Sequence, residues 1–217
     1  MYNPKHFEQH DAAAITELIQ NFPLAALVTQ HAGEIVANHI PFLLEGQITI
    51  GSRLIGHVAK MNPVWETISP DAESLLIFQG PSAYITPNWY PSKQENHLVV
   101  PTYNYAMVHV YGKLVASEDE QIKRLVVEHL TNSMESMRPA PWRVADAPPE
   151  FIEKMLSAIV AVGFTVTRIE AKWKVSQNRH ARDKEGVANG LAQQALNEDD
   201  QKMARMVQAG TGIGKEV

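Results

Sequence analysis

From Leu24 to Ala59 the chain reads LAALVTQHAGEIVANHIPFLLEGQITIGSRLIGHVA, a stretch rich in Val, Ile, Leu and Thr and broken at AGE, EGQ and GSR. β-Branched runs of this length between turn residues predict three or four strands joined by tight turns, not helix. Strands that follow one another directly, with no helix to carry the chain back, pair antiparallel. The stretch therefore limits the fold to an antiparallel sheet or barrel and excludes a doubly wound parallel sheet.

The rest of the chain fits around that sheet. Before it, Ala12, Ile15, Leu18, Ile19 and Phe22 recur at helical spacing, with Asp11 as N-cap and Pro23 as terminator. After it, Asn62-Pro63 predicts a short helix, capped by Asn62 with Pro63 in its first position. ESLLIFQG and SAYIT read as two further strands and NYAMVHVYGKLVA as a long one. From Glu118 the period changes: Ile122, Leu125, Val126, His129, Leu130 and Met134 mark an amphipathic helix. A proline-rich connector from Met137 to Pro149 leads to a helical face at Phe151, Ile152, Met155, Leu156 and Ile159, and then to the strand VGFTVTRIEAKWKVS. RDKEGVANGLAQQAL predicts a helix that NEDDQKMARMVQAG continues, and GTGIGKEV is expected to fray.

The expected fold is α+β dominated by β: an antiparallel β-barrel of six to seven strands with peripheral helices and a helical C-terminus. One domain over residues 1–196 and an extension over 197–217, helical or flexible, account for the length. A barrel also removes most exposed strand edges.

Several function classes fall away on composition. The chain has no cysteine, which rules out disulfides, thiolate catalysis and Cys-ligated metal. The nine histidines are scattered without HExxH spacing, so no metal site is expected. GxSxG, GxGxxG and GxxxxGK[ST] are absent, which removes the serine elbow and the familiar nucleotide loops. A formal charge of −5 argues against a general nucleic-acid binder. No apolar run reaches the ~18 residues of a membrane span. The opening MYNPKHFEQHD lacks signal-peptide character, so a cytoplasmic protein is expected.

Four features carry candidate chemistry. Gly80 to Gly112 gathers Tyr84, Trp89, Tyr90, Tyr103, Tyr105 and Tyr111 among four prolines, and includes a loop from Pro87 to Pro101 too long to be idle. In GHVAKMNPVW, His57 and Lys60 stand where a strand ends and a helix begins, an arrangement able to hold phosphate; a strand-to-helix turn with one lysine is also common in itself. In ANHIPFLL, Asn38 and His39 are polar within an apolar strand and Pro41 removes a ladder donor, which marks either an edge or a β-bulge. Arg168, Lys172, Lys174, Arg179, Arg182 and Lys184 form a basic cluster that suits an anionic partner or a solvated surface.

Seven blocks, MYNPKHF, NHIPFLL, GHVAKMNPVW, FQGPSAYITPNWYPS, VPTYNYAMVHVYG, RPAPWRV and KWKVSQNR, occur in the order seen in the PaiB-type family of FMN-binding negative transcriptional regulators. The chain resembles that family from Met1 to about Leu191. The resemblance implies an FMN-binding split barrel, similar to pyridoxamine-phosphate oxidases, that forms a homodimer with FMN at the interface. It implies that Asn38, His39, Ile40 and Pro41 line the isoalloxazine edge and that His57, Lys60 and Asn62 hold the phosphate. Tyr84, Trp89, Thr102, Tyr103, Asn104, Lys174, Ser176, Gln177 and Asn178 would close the site, partly from the partner subunit. Tyr103 stands where the family often has Trp; either ring can stack. Tyr and Trp suit a flat cofactor with polar edges because they bury area and keep a hydrogen-bonding tip.

The flavin would carry any chemistry, so no catalytic side chain is expected; Lys60 or Lys174 could stabilise the reduced flavin. Three functions stay open on the residues: an FMN-dependent oxidoreductase or flavin reductase acting on a small redox substrate, a transcriptional regulator with the basic cluster as its DNA footprint, and a dimeric interaction module without cofactor.

Overall fold

A computed structural model describes residues 1–69 and 72–210 of the chain. Seven strands form one antiparallel sheet: β1 (Leu24–His31), β2 (Glu34–Pro41), β3 (Leu43–Leu44), β4 (Arg53–Ala59), β5 (Ser74–Ile85), β6 (Thr102–Ser117) and β7 (Ile159–Lys174). Their order is β2-β1-β5-β6-β7-β4-β3. Among the described residues six helices accompany them: α1 (Ala12–Asn21), α2 (Lys93–Asn96), α3 (Glu120–Glu135), α4 (Pro149–Ser157), α5 (Ala181–Gln193) and α6 (Glu198–Ala209). The GTGIGKEV end, expected to fray, lies outside the described residues beyond Gly210.

The chain divides into two compact units. One comprises residues 22–78 and 109–169. Its β1–β2 hairpin pairs without interruption from Leu24 opposite Pro41 to His31 opposite Glu34, turning through Ala32 and Gly33, both at positive φ. β4 pairs with β7 from Arg53 opposite Thr165 to Ala59 opposite Ile159. A Cβ on Gly56 would stand 2.8 Å from the Pro41 carbonyl oxygen, so β4 runs tight against the end of β2. β2 is first in the strand order and β4 next to last. The sheet thus brings its ends together without closing, which is the expected split barrel. α3 starts at Asp119, whose carboxylate accepts from Ile122 N at 3.0 Å, and lays Val126 and Leu130 over Ala161, Leu43 and Ile55.

The other unit comprises residues 1–21, 79–108 and 170 onward. Asp11 caps α1 by accepting from Ala13 N at 2.9 Å, as expected. The helix buries Ile15, Leu18 and Ile19, each worth roughly 1.5–3 kcal/mol relative to exposure. α6 packs on α5 and buries Met203, Met206 and Val207.

Four expectations change. ESLLIFQG and SAYIT are one strand, β5, which passes through Gly80 and Pro81 without a break. β5 pairs with β1 only over Leu75–Ile77, so no ladder bond to β1 is lost at Pro81. The helix at Asn62 is a single 3-10 turn, Pro63–Trp65. The long loop carries its own structure, a 3-10 turn at Pro87–Trp89 and the one-turn α2. The last helical stretch is two helices, because Asn197 caps a fresh start by accepting from Asp200 N at 3.0 Å.

Candidate functional site

Within the first unit, NHIP and HVAKMN meet where β4 runs tight against the end of β2. β2 is an edge strand with an unbroken register, which decides for an edge and against a bulge at Asn38-His39. Ile40 points into the core, His39 and Pro41 are exposed, and Asn38 is half-buried. Asn62 Nδ2 donates to Asn38 Oδ1 at 2.8 Å, while Asn62 Oδ1 accepts from Val64 N at 3.0 Å. Asn38 is thereby oriented and its own Nδ2 is left buried with no partner among the described residues. His57 Nδ1 is buried in the same condition, and burial pushes the imidazole below its ordinary pKa.

Lys60 is half-exposed and forms an ion pair with Glu118. That hydrogen bond, with the lysine's charge, holds the Glu118 carboxyl below its usual range. The sequence held no sign of this partner, 58 residues away. A single 3-10 turn, with its Val64 N–H already taken by Asn62, has a small dipole. The helix expected after GHVAKM is thus a single turn, and the polar side chains of that segment are His57, Lys60 and Asn62.

The second unit gathers five of the six aromatic residues between Gly80 and Gly112, Tyr84, Trp89, Tyr90, Tyr103 and Tyr105; Tyr111 belongs to the first. Tyr84 and Tyr103 meet edge to face, 5.8 Å between ring centroids at 71°, and both remain about half exposed. With Trp89 they line a cleft of about 840 Å³ that Gln194 and the start of α6 also border. Trp89 is fixed from behind: its Nε1 donates to Gln194 at 3.2 Å, and its ring lies where a Cβ on Gly190 would overlap it. Lys174 Nζ donates to Thr102 Oγ1 and, at 2.7 Å, to the Tyr103 carbonyl. Burial first, then the like charges of Lys172 and Arg179, push its ammonium below the usual lysine range.

Asn104 is buried, donates from Nδ2 to Ser176 Oγ at 2.9 Å, and keeps Oδ1 without a partner among the described residues. Ser176 holds φ +62°, uncommon for a non-glycine residue and characteristic of functional positions. Gln177 turns back on its own chain, to Val175 N and the Trp173 carbonyl, and Asn178 faces solvent.

Five of the six residues of the basic cluster, all but Lys184, make side-chain contacts with partners among the described residues. Arg168 stacks 3.4 Å over Tyr111, and Lys172 lies among Tyr2, Phe7 and Tyr105 and donates to the Tyr2 carbonyl at 3.1 Å. Arg179 stands 5.0 Å over Tyr90, and Arg182 grips Glu95 with both nitrogens. These cations balance rings and carboxylates of the chain itself.

The residues present fit a flavin phosphate. Isoalloxazine has a flat apolar face and a pyrimidine edge of carbonyl oxygens and N–H; its tail is anionic. In the unit of residues 22–78 and 109–169 the unpaired Asn38 donor and the Lys60 ammonium match the ring carbonyls and the anionic tail in kind; in the other unit, taken by itself, the unpaired Asn104 acceptor and the half-exposed tyrosine rings match the ring N–H and the flat face.

Comparison with solved structures gives the fold. The FAD and heme binding protein from Mycobacterium smegmatis superposes with TM-score 0.56 at 18% identity, over 77% of this chain and 73% of that one. The flavocytochrome Anf3 from Azotobacter vinelandii gives 0.55 at 13%, over 77% and 69%. These share the split-barrel fold. In sequence, the family described as "Putative FMN-binding domain" matches residues 1–168. The Protease synthase and sporulation protein PAI 2 of Bacillus subtilis (strain 168) is 33% identical over 209 residues, 96% of this chain and 97% of that protein. The chain belongs to this FMN-binding family, in its PaiB type, and FMN is its cofactor. Among the described residues no helix is long and apolar enough to cross a membrane.

Proposed function

We propose that the protein is a homodimeric FMN carrier in which Lys60, His57 and Asn38 hold the phosphate and ring edge, and a second copy supplies the aromatic wall. The observation that carries this reading is the pair of buried polar atoms without a partner among the described residues, the Asn38 amide donor and the His57 ring nitrogen, with Asn38 held in place by Asn62. Half-exposed Tyr84 and Tyr103, and Ile35 and Val36 open on β2, are apolar area that a second copy would cover. Bound FMN supplies electron transfer to and from small molecules. This chain's part is to orient the ring, neutralise the tail and place the Lys174 ammonium toward the flavin.

Equilibrium dialysis with FMN, run beside sedimentation, tests the proposal. One flavin per chain on a dimer is expected; uptake by a monomer removes the shared site, and Lys60→Gln binding as tightly as wild type removes the phosphate assignment. The name of the B. subtilis relative ties that protein to protease synthesis and sporulation. A regulatory role here is the matching proposal, exerted through bound flavin or a small molecule, since five of the six basic residues of the cluster already have partners within the chain. A gel shift with random competitor DNA at physiological salt, in which specific binding survives, would overturn that indirect route.

A further inference from the structure

Between α3 and β4, in the unit formed by residues 22–78 and 109–169, lies a groove unrelated to the residues assigned to flavin. It consists of two adjoining cavities of about 320 and about 200 Å³ that share Arg53, Ile55, Ile122 and Val126. Size and lining are those of a small-ligand pocket at the lower end of the usual ~300–1,000 Å³ range: mostly apolar walls with few polar groups. Ile122 and Leu125 on α3, and Val115 on β6, stay about half exposed along it.

The polar groups are not equivalent. Glu45 and His129 at one end satisfy each other at 2.6 Å. Arg53 has no carboxylate partner among the described residues. It is also seated: Arg53 and Ile55 point to one face of β4, and the Arg53 Nη2 lies where a Cβ on Gly163, the register partner of Ile55, would come within 3.1 Å. The bare backbone at Gly163 makes room for the guanidinium on the groove floor. An unpaired planar cation bordered by aliphatic side chains is complementary to a carboxylate joined to an apolar chain.

We infer that this groove binds a small amphipathic monocarboxylate, its carboxylate on Arg53 and its chain along Ile55, Ile122 and Val126. Charge selects the anion, since an alcohol or ammonium of the same length leaves the guanidinium unpaired or repelled. A second copy of this chain could cover the same aliphatic face, and the test separates that occupant.

The FMN-loaded full-length protein, labelled at isoleucine and valine methyls, is titrated with octanoate, octanol and octylammonium while its methyl spectrum is followed. Octanoate is expected to move the Ile55, Ile122 and Val126 methyls saturably, with octanol and octylammonium at least tenfold weaker. Arg53→Gln, an exposed site whose strand pairing is through backbone, is expected to weaken octanoate about tenfold or more and leave FMN uptake unchanged; Ile122→Glu, also exposed, is expected to abolish it. Equal affinity for octanol and octanoate, binding unaffected by Arg53→Gln, or methyls that do not move because a second copy covers them each overturns the inference.

Discussion

Asn62 reaches across to Asn38, its Nδ2 donating to Oδ1 at 2.8 Å, and with its own Oδ1 accepts from Val64 N to close the turn that starts at Pro63. One side chain thus fixes both the edge strand residue and the segment that carries Lys60. Asn62→Ala is expected to cost about 1 kcal/mol through the lost cap. It should also weaken FMN about tenfold, as Asn38 loses its orientation. Chemical denaturation and quenching of flavin fluorescence measure the two effects separately, and a stability loss with unchanged flavin affinity would assign Asn62 to folding alone.

The Lys60–Glu118 pair competes with any phosphate for the same ammonium. Glu118→Gln is expected to tighten FMN binding a fewfold and make it more salt-sensitive, whereas Lys60→Gln weakens it by about tenfold. Both side chains are about half exposed, so neither change should alter the melting temperature much. Titration at two salt concentrations checks the sign.

Acid should loosen the fold through His57. Burial lowers its folded pKa below the unfolded value of 6.5, so the unfolded chain takes up the proton first. This contribution is fully present above pH 6.5 and is lost as pH falls from there through the folded value. His57→Gln is expected to flatten the stability profile on the acid side of 6.5 and leave it unchanged above, as read by urea midpoints across pH.

Trp89 and Gly190 interlock, so Gly190→Ala forces the indole off α5. A loss of roughly 1–3 kcal/mol is expected. Trp89→Ala should relieve part of it, giving a non-additive double-mutant cycle in thermal melts. Simple additivity would mean that the two do not press on each other.

Lys174 is held by Thr102 and the Tyr103 carbonyl in a setting that disfavours its charge. If it faces the flavin, Lys174→Ala lowers the reduction potential, because a nearby cation favours the more negative reduced form. A potential that stays put under spectroelectrochemistry ends that role.

Much of the fold could be read from local signals. The hairpin turn at Ala32-Gly33, the caps at Asp11 and Asn62 and the change of period after Glu118 each act within a few residues. What misled were features whose meaning is set from afar. Gly80-Pro81 has the composition of a break, yet β5 continues because β1 makes no demand on it there. The basic cluster looked like a surface for an anion because its partners, Tyr111, Tyr2, Tyr90 and Glu95, lie tens of residues upstream or further. The aromatic stretch was visible as unusual, but the backing of Trp89 by Gly190 was not, since a glycine inside a helix carries no local mark of what leans on it.

Neighbouring residues of opposite charge on α5 take hold of one short stretch. Asp183, itself buried, receives the Ser92 N–H at 3.1 Å and hydroxyl at 2.9 Å, while Arg182 clamps Glu95. The segment between the tyrosines is therefore ordered before anything arrives. A visiting partner meets a set surface rather than a wandering one, and little of its association energy goes into quieting the loop.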